Sequence, residues 1–435
     1  MQPNASTIYA LATPPGRAGV AVIRISGANT TQAVAGLTTL PPPRVAALKT
    51  LKDGKNFLDR ALCIYFPAPN SFSGEDVVEL QLHGGRAVVK SVLDYLGRQQ
   101  GLRLAEPGEF ARRAFINGKL DLAEAEGLAD LINAETESQH IQAIRQYSGQ
   151  NSQRFEALRA SVIYPLALLE AYIDFPDENI PESVLNDVTA RIAVLREEIG
   201  QLLNDGAIGE QIRSGIDIVL IGAPNSGKST LINALTKRDI AIVSPEAGTT
   251  RDLLEVPLDI GGYKVTLIDT AGIRDSTHEV EKQGILRARD RARNAALKLL
   301  LIDVVADAES HKQALALMDG NYLKIYTKCD LKNAPSPALQ VSAKTGAGMD
   351  DLIAAIKSWL DDQFTRAPSP LITQARHRQF LASALAALEK FSVDTPIELQ
   401  CEELRHAAAS IAKITGKIAV DDLLDVIFAS FCIGK

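Results

Sequence analysis

The chain has 435 residues, a formal net charge of −7 and a sequence pI near 5.6. This length predicts two to four domains, and the acidic balance argues against broad, sequence-blind binding of nucleic acid, which needs clustered Lys and Arg. No apolar run reaches the length of a membrane span, the start lacks a signal-peptide pattern, and the four cysteines lie far apart without metal-binding spacing. We therefore expect a cytoplasmic, reduced protein.

The first 118 residues alternate short strand patterns with turns. Strands are predicted at 20–25, 61–66 and 77–82, and a pair of glycines precedes a predicted helix at 86–96. This alternation is typical of a compact α+β domain.

Two long stretches with helical periodicity follow, at 120–203 and 374–431, and an α/β pattern lies between them. The simplest architecture is multidomain: an α/β P-loop domain of the Ras-like type inserted into an α-helical domain, behind the N-terminal α+β domain. Separate N- and C-terminal helical bundles are the alternative. The predicted domains are 1–118 (α+β), 119–212 (first segment of the helical domain), 213–366 (inserted α/β) and 367–435 (second segment of the helical domain).

The most specific motif is the segment at 222–229, which fits G-x-x-x-x-G-K-[ST]. An apolar run at 216–221 precedes it and a helical pattern at 228–235 follows, so we predict the strand, glycine loop and helix that phosphate binding needs. Lys228 would reach the β- and γ-phosphates, and the Ser229 hydroxyl would bind Mg²⁺. The alternative is a chance glycine-rich turn.

Three later segments indicate which nucleotide is bound. A D-x-x-G sequence begins at Asp269 behind a predicted strand, where a carboxylate can hold the water shell of the metal. The sequence Thr327-Lys328-Cys329-Asp330 resembles the guanine-reading N-K-x-D of GTPases, in which the final carboxylate accepts two N–H groups of guanine. Thr327 replaces the usual Asn, so we expect weaker nucleotide retention with guanine preference kept by Asp330.

The residues at 248–252 resemble the first switch of small GTPases, with Thr250 as the second Mg²⁺ ligand. The predicted nucleotide-binding residues are Asn225, Ser226, Gly227, Lys228, Ser229, Thr230, Ser244, Thr249, Thr250, Asp269, Thr270, Ala271, Gly272, Thr327, Lys328, Asp330, Ser342, Ala343 and Lys344.

Ile273 stands where Ras-like enzymes place the Gln that orients the attacking water. Hydrolysis must therefore recruit another group, and Glu281 is the candidate because a carboxylate can order a water. The alternative is that Glu281 belongs to a solvated helix start. Arg251 and Arg274 could neutralise charge on the phosphates, or could form surface salt bridges.

The motifs together point to one family. The sequence resembles the MnmE (TrmE) family of tRNA-modification GTPases over its whole length, with Thr327 as the one mismatch at a motif position. The matching segments outside the P-loop domain are Thr13-Pro14-Pro15-Gly16-Arg17, Arg24-Ile25-Ser26-Gly27, Gly74-Glu75-Asp76 with Glu79, His83-Gly84-Gly85, Glu106-Pro107-Gly108-Glu109-Phe110, Asn117-Gly118-Lys119-Leu120-Asp121 and Phe431-Cys432-Ile433-Gly434-Lys435.

The resemblance implies a GTPase that K⁺ and pairing of GTPase domains activate. It implies that Lys228 and Glu281 are catalytic, with Glu281 ordering the water network, and that Mg²⁺ is bound by Ser229 and Thr250. A monovalent cation would neutralise transition-state charge much as an arginine finger does. The implied K⁺ ligands are Asn225, Ser244, Glu246 and Thr249.

The resemblance also implies a second site and several partners. A tetrahydrofolate one-carbon donor (5-formyltetrahydrofolate or 5,10-methylenetetrahydrofolate) would bind Arg24, Glu79, Lys119 and Lys435, and Cys432 would take part in the modification chemistry or fill a core. Without the family, a salt bridge between Arg24 and Glu79 is the simpler interpretation. The C-terminal tail would have to fold back, within one chain or across a dimer.

The implied function is a subunit that hydrolyses GTP during modification of a tRNA wobble uridine by a carboxymethylaminomethyl-type group. A homodimer, a flavoprotein partner of the MnmG (GidA) type and tRNA are the implied partners, without a membrane. Two rival functions are a regulatory or assembly GTPase without modification chemistry and a membrane-associated GTPase. The second is disfavoured because the sequence shows no basic amphipathic helix or membrane anchor.

Overall fold

The computed structural model describes residues 6–174, 182–238, 240–242, 255–269, 293–306, 320–335, 338–364, 370–418, 421–429, 431–432 and 434. The chain forms two compact units, of which the first consists of Met1–Ala129, Gln146–Ile192 and Ala386–Lys435. The second consists of Asp130–Arg145 and Ala193–Leu385. Along the sequence, segments of the first unit thus come both before and after segments of the second. The predicted domain boundaries stay predictions.

The first unit contains a six-stranded sheet. Its strands are β1 (Thr7–Leu11), β2 (Ala18–Ser26), β3 (Ala47–Asp53), β4 (Asn56–Phe66), β5 (Val77–Gly84) and β6 (Leu102–Leu104). They lie in the order β3-β4-β5-β2-β1-β6, and all neighbours are antiparallel except β1 and β6. The three predicted strands are confirmed within β2, β4 and β5, whereas β1, β3 and β6 were not predicted.

Alternating side chains along β1 enter two different cores, as the two-residue period of a strand requires. Tyr9 packs with the helices α1 (Thr30–Ala35) and α2 (Arg86–Gly97) in a core that covers one face of the sheet. Ile8 packs on the opposite face against Phe110 of α3 (Glu109–Ile116). α2 confirms the helix predicted at 86–96.

The predicted helical stretch at 120–203 is confirmed as four helices. They are α4 (Leu122–Asn133), α5 (Glu137–Tyr147), α6 (Gln150–Asp174) and α7 (Glu182–Ser214). Among the described residues, no helix is both long and apolar enough to cross a membrane.

The second unit contains the α/β module. Its elements are β7 (Ile216–Gly222), α8 (Lys228–Thr236), β8 (Glu255–Ile260), β9 (Tyr263–Asp269), β10 (Leu297–Asp303), β11 (Tyr322–Thr327), β12 (Gln340–Val341) and α9 (Met349–Phe364). The sheet has the order β12-β11-β10-β7-β9-β8 and is parallel except for β8. The turn between β8 and β9 consists of Gly261 and Gly262, with φ of 63° and 88°, the positive values that a two-residue hairpin turn needs.

Three helices follow in the C-terminal stretch, as predicted: α10 (Ala375–Lys390), α11 (Ile397–Thr415) and α12 (Asp421–Ala429). In the first unit, α11 packs along α6, and Arg405 and Glu170 form an exposed ion pair between them at 2.9 Å. α3, α4 and α12 share a small core that contains Leu122, Phe428 and Phe431. The fold is therefore the predicted multidomain combination of an α+β domain, helices and a P-loop α/β module.

Candidate functional site

The loop between β7 and α8 has the shape that phosphate binding requires. Asn225 and Gly227 have left-handed backbone angles, with φ of 62° and 93°. Glycine adopts this conformation freely, and asparagine adopts it more readily than most residues. α8 begins directly after the loop at Lys228, so the loop adjoins a helix N-terminus, which favours anions.

The buried Lys228 and its neighbour Ser229 make hydrogen bonds at the base of this loop. The Lys228 ammonium donates to the carbonyl oxygens of Gly222 at 2.8 Å and Ala223 at 3.0 Å. Burial lowers the pKa of Lys228, and the carboxylate of Asp269 acts in the opposite direction. The Ser229 hydroxyl donates to Asp269 Oδ2 at 2.7 Å.

The pair formed by Ser229 and Asp269 fits Mg²⁺, which prefers oxygen ligands and keeps several waters. Within the described part of the chain, no three His, Cys, Asp or Glu side chains gather as a metal cluster. A magnesium ion here would be held by the Ser229 hydroxyl, with Asp269 in position to hold its water shell.

A cavity of about 240 Å³ lies beside the phosphate loop, where three segments that follow parallel strands meet. It is lined by Gly227, Thr230, Leu231, Thr327, Lys328, Asp330, Leu331, Val341, Ser342, Ala343 and Lys344. The structure thus brings the predicted guanine-reading residues and the predicted 342–344 loop to one pocket.

Asp330 is prepared to accept hydrogen bonds in this pocket. A hydrogen bond from Ser342, and further the positive charge of Lys344, lower the pKa of Asp330. The carboxylate therefore stays ionised and can accept two N–H groups from a base. Lys328 has a left-handed φ of 63°, and its ammonium pairs with Asp303 at 2.5 Å, which holds its side chain at the pocket wall.

Several predicted site residues lie outside the described residues: Ser244, Glu246, Thr249, Thr250, Thr270, Ala271, Gly272, Glu281 and Lys435. Their predicted roles stay predictions.

The N-terminal site residues Arg24 and Glu79 face each other on β2 and β5. Nε of Arg24 donates to Glu79 Oε1 at 3.0 Å, Nη2 lies 2.9 Å from the same oxygen, and the side chains are 18% and 19% exposed. The Arg24 guanidinium also lies 5.1 Å from the ring centroid of Phe72 and 5.7 Å from that of Phe110. Lys119 is exposed just after α3. Arg24 and Glu79 therefore form the salt bridge of the simpler interpretation, and the same two residues are predicted to bind folate.

The first unit also contains a buried ion network that sequence reasoning missed. The Arg113 guanidinium donates to Glu75 at 3.0 and 3.1 Å and to Glu109 at 2.9 Å. The Ser26 hydroxyl donates to Glu75 at 2.7 Å, and Arg103 donates to Glu109 at 2.6 Å. The signal in the sequence was the 109/113 spacing, which places both charges on one face of α3.

The C-terminal tail folds back within the chain. The Gly108 N–H donates to the Cys432 carbonyl at 3.4 Å. Gly434 has a φ of 96°, and a Cβ placed on it would collide with the carbonyl oxygen of Leu11. Cys432 is exposed. Because Ala10, the residue before Leu11, pairs with Arg24 across β1 and β2, the tail docks near the Arg24 strand pair.

The parallel sheet, the phosphate loop and the pocket at the strand ends define a P-loop nucleotide-binding protein. Family models give the particular family: the model of the MnmE helical domain matches residues 122–432, and the model of the GTP-binding protein TrmE N-terminus matches residues 7–119. The chain belongs to the MnmE family of tRNA modification GTPases.

Similar proteins extend over the whole chain. The tRNA modification GTPase MnmE of Paramagnetospirillum magneticum is 47% identical, and the match covers 99% of each chain. The tRNA modification GTPase MnmE of Parvibaculum lavamentivorans is 48% identical, covering 99% of this chain and 100% of the relative. The crystal structure of the G domain of the T. maritima FeoB iron transporter matches 34% of this chain and 98% of its own at 23% identity and a TM-score of 0.24.

Proposed function

We propose that this chain is the K⁺-dependent GTP-hydrolysing subunit of a tRNA wobble-uridine modification complex. The observation that carries the GTPase function is the convergence of Lys228, the Ser229–Asp269 pair and Asp330 around one loop and one pocket. The full-length similarity to tRNA modification GTPases supports the substrate class.

The nucleotide chemistry follows from these groups. Lys228 would neutralise charge on the β- and γ-phosphates, and Ser229 together with Thr250 would hold Mg²⁺. The bound metal would supply electrostatic stabilisation of the charge that develops on the transferring phosphoryl group. Asp330 selects guanine through its N–H groups.

Hydrolysis would also need a K⁺ site and a side chain that orders the attacking water. Asn225, with Ser244, Glu246 and Thr249, would bind K⁺ next to the phosphates; Asn225 belongs to the phosphate loop and has a left-handed backbone. Glu281 would order the attacking water, because Ile273 has no group that can do so.

The N-terminal unit would bind the one-carbon donor. Glu79 accepts from Arg24 through Oε1 alone, which leaves Oε2 without a hydrogen-bond partner among the described residues. That oxygen suits a pterin amino group, and Lys119 with Lys435 suits the glutamate carboxylates. The docked tail supports a role for Cys432, since this exposed residue lies in the segment that returns to Gly108 and Leu11.

The proposed assembly is a homodimer that works with a flavoprotein of the MnmG (GidA) type and with tRNA. The tetrahydrofolate donor (5-formyl or 5,10-methylene) would supply the carbon of the carboxymethylaminomethyl-type group. GTP hydrolysis would drive pairing and opening of the GTPase domains rather than the carbon chemistry. We place this complex in the cytoplasm, since all four cysteines are free thiols.

The test is GTP turnover by the full chain in KCl and in NaCl at equal ionic strength, with and without tRNA and the flavoprotein. We expect turnover to fall sharply in NaCl and in Glu281→Ala, while GTP binding by that variant stays nearly unchanged. Glu279→Ala, two residues away, is the control and should turn over normally. Equal rates in both salts would remove the K⁺ site, and normal turnover by Glu281→Ala would remove the role of Glu281.

A further inference from the structure

The side chain of Thr327 is bonded to the phosphate loop rather than left open to the base pocket. Its hydroxyl donates to the main-chain carbonyl oxygen of Ser226 at 2.8 Å, and the carbonyl oxygen of Ile302 lies at 3.4 Å. Thr327 is 4% exposed and Ser226 is 1% exposed. The contact is therefore shielded from water, and an unpaired carbonyl there would be costly.

This hydrogen bond fixes the orientation of one peptide unit of the loop. In a trans peptide, the carbonyl and the following N–H point in opposite directions. Holding the Ser226 carbonyl toward Thr327 therefore turns the Gly227 N–H away from Thr327. Phosphate loops bind their ligand with such N–H groups. Because Gly227 can adopt many backbone conformations, a contact from outside the loop is needed to select this one.

The same bond removes Thr327 from base recognition. A threonine hydroxyl carries one proton, and here it is donated to a main-chain carbonyl. Guanine N7 is an acceptor and needs a donor. An asparagine at this position of an N-K-x-D motif has two N–H donors and can serve more than one acceptor, whereas Thr327 cannot.

We propose that Thr327 is a positioning residue for the phosphate loop and that this chain binds guanine nucleotides without reading N7. The inference rests on the proposed guanine-nucleotide function and deepens it. Base selection then depends on Asp330, and Thr327 supports binding of GDP, IDP and 7-deaza-GDP to the same extent because all three carry the same diphosphate.

The test measures the dissociation constants of GDP, IDP and 7-deaza-GDP for the full chain by competition with a fluorescent GDP. Wild type should bind 7-deaza-GDP as tightly as GDP. Thr327→Val should weaken all three by a common factor of about ten, equivalent to about 1.4 kcal/mol. Thr327→Ser, which keeps the hydroxyl, should bind within about twofold of wild type. Thr266→Val, a buried threonine of β9 in the same sheet, is the control and should leave all three unchanged.

The outcomes separate this inference from the proposed function. A wild type that binds GDP at least tenfold more tightly than 7-deaza-GDP reads N7 and overturns the inference. So does a Thr327→Val variant that binds GDP normally or loses GDP affinity only. The comparison of GDP with 7-deaza-GDP uses the wild type, so it decides even if Thr327→Val does not fold. A wild type that binds no guanine nucleotide refutes the proposed function and this inference together.

Discussion

Arg113 and its neighbour Arg112 offer a matched test of the buried ion network in the first unit. The Arg113 side chain is 8% exposed and donates to Glu75, to Glu109 and to the Ser6 carbonyl. Arg113→Met would leave two carboxylates without this partner, and removing one member of a buried charge network costs about 3–5 kcal/mol. Arg112 pairs at 3.0 Å with Asp425, whose side chain is 75% exposed, so Arg112→Met should cost less than about 1 kcal/mol.

Hydrogen exchange of the full chain, read by mass spectrometry on peptides that cover β1 and α3, measures the difference locally. A melting curve read by tryptophan fluorescence would not, because the single tryptophan, Trp359, lies in the second unit. Protection in Arg113→Met should fall by a factor of about 100 or more, since each tenfold corresponds to about 1.4 kcal/mol. Equal protection in the Arg113 and Arg112 variants would refute the claim that the network holds α3 on the sheet.

Three further predictions concern acidity, the tail and the base. Burial acts to raise the pKa of Glu109, but hydrogen bonds from Arg103, the Glu106 N–H and Arg113 lower it below its ordinary 4.5. The ionised Glu109 therefore stabilises the first unit above pH 4.5, and this contribution should be lost as the pH falls further. A Glu109→Gln variant whose acid unfolding matches wild type would contradict this. Gly434→Ala should displace the tail and change the rate at which a thiol reagent labels Cys432. Gly19→Ala is the control, because a Cβ at Gly19 meets nothing within 4 Å. Equal labelling rates in both variants and wild type would argue against docking of the tail on Leu11. Asp330→Asn should move nucleotide preference from GTP toward XTP, measured by competition binding, and an unchanged preference would remove Asp330 from base recognition.

The sequence predicted the regions of the fold where local pattern and tertiary environment agree. β7 and α8 flank a loop whose glycine and lysine spacing has a strong chemical reason, and their bounds match the prediction within a residue. The Gly261-Gly262 turn was predictable because two adjacent glycines supply the positive φ that a tight hairpin requires.

Two of the three missed strands, β3 and β6, have weak local signals. β6 has three residues, and β3 (ALKTLKD) carries two lysines and an aspartate with one buried residue, Leu51. Both lie at the edges of their sheet, where one side has no neighbour and polar residues are tolerated. Such strands are set by their partners in space rather than by their own pattern.

The site was predictable where a motif is contiguous and not where contacts join distant segments. Thr327 was predicted to bind the nucleotide and, as a departure from Asn, to weaken its retention; its bond to the phosphate loop joins positions 101 residues apart, which no local pattern encodes. The Lys328–Asp303 pair was missed for the same reason, although the carboxylate at the end of β10 was a usable signal. The tail could be placed within one chain or across a dimer from sequence, and the described contacts with Gly108 and Leu11 lie within one chain.

The most direct test of the central claim is isothermal titration of the full chain with GTP and with ATP in the presence of Mg²⁺. A pocket that presents the Asp330 carboxylate to the N–H groups of guanine should bind GTP at least about 100-fold more tightly than ATP, since a site built for such donors rejects a base that lacks them. Equal affinities for the two nucleotides, or no binding of either, would contradict the assignment of the phosphate loop and its neighbouring cavity to a guanine nucleotide.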